Sequence, residues 1–148
     1  MSEPEPLKEF KQGLAELRDG HPSSAVVHLR NAFEHDRANP FYLSYYGLAV
    51  ARALENWPMA EGLCQAALRV SPDQPDFYLN LAEVFRRAQK LEDAMWVLNN
   101  GMHFTQRNAR LARALRNLGI RRPPVISFLD RKHFLNRQLG KLRDRLGV

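Results

Sequence analysis

The sequence predicts an all-α chain built as an array of two-helix units, and three observations carry that prediction. The 45% hydrophobic content is weighted towards Ala and Leu, with few Val-Thr-Ile runs, which favours helix over strand. At 148 residues the chain is one domain by length, with room for a continuous core if its elements are local. A pattern of small and large residues also recurs at a fixed period. Gly13, Ala25, Leu29 and Ala32 precede Gly47, Ala60, Cys64 and Ala67 by 34, 35, 35 and 35 residues, and Ala82, Ala94, Leu98 and Gly101 follow at 35, 34, 34 and 34.

The first unit runs from about residue 6 to 37, after an acidic, Pro-containing stretch, 1–5, expected to be a disordered tail. That stretch has no basic region followed by an apolar run, so it reads as neither a secretory signal nor a transit peptide. Asp19-Gly20-His21-Pro22 should break the first helix pair, with Pro22 opening the second helix where a missing N–H costs nothing. Glu9, Gln12 and Glu16 occupy positions that are large and apolar in the later copies, as terminal repeats often show where one face meets water.

The second unit, about 40–72, repeats the break at Glu55-Asn56-Trp57-Pro58, and Pro40 and Ser71-Pro72-Asp73 separate successive units. Its Cys64, the only cysteine, falls at a core position and should behave as a small hydrophobe. The third unit, about 75–106, is the best formed. Tyr78, Leu81, Ala82 and Phe85 follow W-x2-L-G-x2-Y, and Ala94, Leu98 and Gly101 continue as A-x3-F-x2-A. Small residues are expected where two helices approach closely and large ones where they fill the gap. Neither helix buries its face alone, so stacking of neighbours must complete the core.

The motif and its 34-residue period, in register over about 100 residues, resemble the tetratricopeptide repeat. The resemblance implies a right-handed helical solenoid, and a non-enzymatic adaptor or chaperone-like scaffold that binds a protein or peptide segment in its concave groove. Small three-repeat proteins of this kind include chaperones of secretion systems. The groove positions carried over from the family are Lys11, Leu14 and Arg18, then Tyr45, Leu48 and Arg52, then Asn80, Glu83 and Arg87. Arg18, Arg52 and Arg87 are equivalent and would form a column able to pair with acidic side chains or a carboxylate. They also lie near helix C-termini, where the dipole favours a cation in any case. Family members that clamp chaperone C-termini carry Lys, Asn and Arg at positions that here hold Phe10, Leu14, Tyr45, Asp76 and Asn80, which speaks against that use.

Beyond the repeats, 108–118 reads as a capping helix, with Asn108 as N-cap, Gly119 as the C′ residue, and Leu111, Ala112, Leu115 and Leu118 at helical spacing. Residues 120–148 form a Pro-broken linker and a basic amphipathic helix, with Phe128, Leu135, Leu139, Leu142 and Leu146 on one narrow stripe. That stripe needs a surface, either the chain's own solenoid or another molecule, including a homodimer partner. The charge is uneven: residues 1–106 hold 10 Lys+Arg against 14 Asp+Glu, and residues 107–148 hold 12 against 2. A second reading therefore assigns the basic end to anionic membrane or nucleic acid.

No G-x-S-x-G, Gly-rich phosphate loop, H-E-x-x-H or C-x-x-C occurs, so no enzyme, catalytic residue or cofactor is expected. His28 and His35 lie seven apart on one helix face with His21 upstream, but no carboxylate or Cys completes a familiar spacing, and no metal site is expected. The longest apolar stretch, 41–54, is short for a bilayer and interrupted by Ser44 and Arg52, so a soluble protein is expected, with a cytoplasmic location.

Overall fold

In the computed structural model, which describes residues 2–119, the chain forms seven helices: α1 (Glu5–Arg18), α2 (Pro22–His35), α3 (Pro40–Leu54), α4 (Trp57–Val70), α5 (Pro75–Arg87), α6 (Leu91–Phe104) and α7 (Ala109–Gly119). Proline stands in the first two positions of α1 to α5, where its fixed φ suits a helix start and its missing N–H is harmless. Side chains complete several starts. Asn39 accepts from the backbone N–H of Phe41 and Tyr42, Asn56 from that of Met59, and Asn108 from that of Arg110.

The turn inside each helix pair contains one left-handed residue at the same repeat position: Gly20 (φ 84°), Glu55 (φ 52°) and Gln89 (φ 62°). Only the first uses glycine, the residue for which this conformation is free of a Cβ clash. The pairs α1/α2, α3/α4 and α5/α6 then stack, with α2 on α3, α4 on α5 and α6 on α7. The first helices also meet one another, α1 with α3, α3 with α5 and α5 with α7, so the fold is a two-layer all-α solenoid in which α7 takes the place of a fourth first helix.

The recurrent small residues lie where the layers touch. Ala25, Ala32, Ala60, Cys64, Ala67 and Ala94 are fully buried, as are Leu29 and Leu98. At Gly47 a Cβ would stand 2.7 Å from Cys64 Sγ and 2.9 Å from the Ala60 carbonyl oxygen, and at Gly101 it would stand 2.6 Å from Tyr78 Cγ. Tyr78, in the position of the motif's Trp, buries its ring and donates its hydroxyl to the Pro72 carbonyl at 2.7 Å. Cys64 donates to the Ser44 carbonyl oxygen at 3.4 Å, and burial pushes its thiol up to about 12, so it packs and does not react.

Two expectations shift. Glu5, placed by the sequence in the N-terminal tail, opens α1 with a proline next to it, and Glu3 hydrogen-bonds Lys11. Gly119 is itself helical, within α7, rather than a residue after the helix. The proposed stripe of Phe128, Leu135, Leu139, Leu142 and Leu146, with its linker, lies outside the described residues.

Candidate functional site: the face of the first helices

The face formed by α1, α3, α5 and α7 divides into an aromatic part, a charged centre and an open cleft. Across α1 and α3, Phe10 meets Tyr42 at 5.0 Å between ring centroids and Tyr45 edge-on at 5.7 Å. Phe10 and Tyr45 remain half-buried, and so does Leu14 one turn along α1 from Phe10. Burial, reinforced by the nearby Asp76 charge, raises the Tyr45 phenol, which therefore acts as a neutral hydrogen-bonding group. Lys11 is exposed on α1 and tied to Glu3.

Leu48 and Asn80 are buried beneath this face, at 4% and 7% exposure. Asn80 donates to Ser44 Oγ at 3.0 Å, which ties α5 to α3 inside the core and satisfies both buried groups.

The three equivalent arginines have different surroundings. Arg52 grips Glu83 through Nε and Nη2, each at 2.9 Å, and its Nη1 donates to the Leu17 carbonyl at 3.3 Å, so this one guanidinium joins all three repeats. Arg87 donates to the same carboxylate at 3.0 Å. Burial alone would push the Glu83 carboxyl up, but its hydrogen bonds to Arg52 and Arg87 outweigh it and hold the pKa below the usual value. Among the described residues, the Arg18 side chain pairs only with its exposed neighbour Asp19, at 3.2 Å. The reason lies in the register. Arg52 and Glu83 are 31 residues apart, one repeat less one helical turn, and the matching position ahead of Arg18 is Leu48, which offers no acceptor.

Between α5 and α7, with α6 as its floor, lies an open cleft of about 430 Å³. Its walls are apolar: Leu79, Ala82, Leu98, Ala114 and Leu118. Glu83, Arg86 and Asn117 stand around them. The cleft was not evident in the sequence, because it depends on how far α7 stands off α5. Asp76, at the start of α5, is bound by Arg110 of α7 at 2.7 Å, one full repeat of 34 residues ahead.

Glu9 and Glu16, out of pattern on α1, make polar ties to α2. Glu9 bonds His28 at 2.9 Å and Asn31 at 3.1 Å, and Glu16 bonds His21 at 3.1 Å. Among the described residues no group of three or more His, Cys, Asp or Glu side chains is placed to hold a metal ion, and no helix is long and apolar enough to cross a membrane.

No protein-family model matches the chain, and no curated protein matches it. Solved structures do. The Sgt2 TPR domain from Aspergillus fumigatus is 19% identical with a TM-score of 0.67, over 91% of this chain and 95% of that one. The first TPR of Spaghetti (RPAP3) bound to HSP90 peptide SRMEEVD is 20% identical with a TM-score of 0.63, over 77% and 92%. The second TPR domain of human RPAP3, in complex with HSP70 peptide SGPTIEEVD, is 15% identical with a TM-score of 0.63, over 77% and 94%. Seven helices in this pairing among the described residues, the buried small residues that recur at 34 or 35 residues and these likenesses make the chain a tetratricopeptide-repeat fold.

Proposed function

We propose that the protein is a non-enzymatic cytoplasmic adaptor or chaperone-like scaffold that holds a peptide segment of a partner against the face of its first helices. The observation that carries this reading is the half-buried aromatic cluster of Phe10 and Tyr45 spanning α1 and α3, apolar surface that the packing of the first helices leaves accessible. Two of the similar structures hold peptides ending in Glu-Glu-Val-Asp. Here the partner is a different segment, because Asp76 stands where clamping relatives place a cation, and Arg52 and Arg87 are already engaged by Glu83. Groove recognition at Lys11, Leu14, Arg18 and Tyr45 then depends on apolar and aromatic contact with a modest charged contribution.

A photo-crosslinking amino acid placed at Leu14 and, separately, at the exposed Val27 of α2 tests the reading in the cell of origin. The expected result is one discrete adduct from position 14, lost on Tyr45→Ala, and none from position 27. Adducts of the same species from both positions, insensitive to Tyr45→Ala, would overturn it. Raising salt separates this reading from phosphate binding by the basic C-terminal end, since phosphate binding falls steeply with salt and apolar contact does not.

A further inference from the structure

We infer that the cleft between α5, α6 and α7 is an anchor subsite for one apolar side chain of the bound peptide, flanked by acidic residues. The proposal rests on the groove reading above and adds where the anchor sits and what surrounds it. The cleft's size and lining set the first requirement. About 430 Å³ with Leu79, Ala82, Leu98, Ala114 and Leu118 in its lining accepts a leucine-sized or larger apolar group.

The charge around the cleft sets the second. Glu83 is the acidic residue in the lining, and its carboxylate is taken up by Arg52 and Arg87. Arg86 stands at the rim, and its side chain makes no hydrogen bond or ion pair with another described residue. Arg113 lies one turn before Asn117 on α7, and residues 107–119 carry four arginines and no acid, of which Arg110 is paired with Asp76. The field at the mouth is positive.

That field decides between occupants. The apolar stretch from 125 to 129 begins a few residues after Leu118, but Arg121 and Arg122 precede it and would be brought against Arg86 and Arg113. An acidic-flanked peptide brings the complementary sign, with its apolar side chain in the cleft and its carboxylates on Arg86 and Arg113. The anchor is a side chain, so no free peptide C-terminus is required.

The test is an amide-shift titration of the full-length protein with a short peptide blocked at both ends, one leucine between glutamates, beside two controls with glutamines for the glutamates or serine for the leucine. The glutamate-leucine peptide should move the amides of Leu79, Ala114, Asn117 and Leu118. Each control should bind about fivefold more weakly, and Arg86→Glu should weaken the parent peptide by at least about fivefold, the scale of one exposed charged contact, with an unchanged melting temperature. Shifts confined to Phe10, Leu14 and Tyr45 would overturn the subsite while leaving the groove reading standing, and no shift anywhere on α1, α3, α5 or α7 would overturn both. Nuclear Overhauser contacts from Ala114 or Leu118 to residues 120–148 in the free protein, or displacement of the peptide by an oligonucleotide alone, would also overturn the proposal.

Discussion

The first and second helix pairs use one motif in two ways. Between α3 and α4 the contact is dry, with Gly47 against Cys64 and the Ala60 backbone, all buried. Between α1 and α2 it is half polar. Glu9 reaches His28 and Asn31, and Glu16 reaches His21, where later copies carry large apolar residues. The difference follows position in the stack. α3 is covered by helices on both sides, so an unpaired carboxylate there would carry a full desolvation cost, whereas the outer edge of α1 stays wet and a hydrogen-bonded carboxylate is tolerated.

Substitutions at the equivalent glycines should show the contrast most strongly. Gly47→Ala drives a Cβ against backbone that cannot yield, and a loss of about 3 kcal/mol is expected. At Gly13 the three atoms nearest a new Cβ all belong to the fully buried Leu29 side chain, with Cγ 2.5 Å away; a side chain can shift where backbone cannot, so Gly13→Ala should cost less, about 2 kcal/mol. Chemical denaturation of both variants checks the order, and equal losses would mean that the first pair is packed as tightly as the second.

The arginines extend the comparison. Arg52→Ala removes a bidentate partner from Glu83, both side chains being 25% exposed, and should cost about 1–2 kcal/mol. Arg18→Ala, at the same repeat position but bonded to exposed Asp19, should stay within about 0.5 kcal/mol of the parent. Because Arg52 also holds the Leu17 carbonyl, its charge reversal is expected to loosen the junction of all three repeats. Partner-binding loss in such a variant would then need a matched melt before it is assigned to the groove.

The smallest effect concerns pH at the first pair. Hydrogen bonds from His28 and then Asn31 hold the Glu9 carboxyl below its usual value. A lowered folded pKa stabilises above the unfolded carboxylate range, and that contribution is lost as pH falls through the folded value. The deficit of Glu9→Gln relative to the parent should therefore be present at neutral pH and shrink below the ordinary glutamate range. A deficit that grows on acidification would reverse the assignment.

The sequence made the stacking legible because its cause is local and periodic: Gly13, Gly47 and Ala82 must be small for the same reason at the same spacing. The polar ties were harder to see. Arg52 to Glu83 and Glu9 to His28 span 31 and 19 residues, and each depends on the angle between helices as well as on spacing. The offset of one repeat less one turn would have exposed the first of these. Leu48 and Asn80, carried over as groove positions, turn out to be buried, because the packing of α3 against α5 places their positions beneath the face. The cleft at α7 was hidden for the opposite reason, since it is a gap and leaves no residue pattern.

The most direct measurement of the account is radical footprinting of the intact protein with and without its crosslinked partner. Tyr45 and Phe10 report on the face of the first helices, and Trp96 and Met59, 60% and 39% exposed on α6 and α4, report on the second helices. Protection of Phe10 and Tyr45, with Trp96 and Met59 unchanged, is the predicted result. Protection of Trp96 and Met59 with Phe10 and Tyr45 unchanged would contradict it and move the partner to the outer layer of the solenoid.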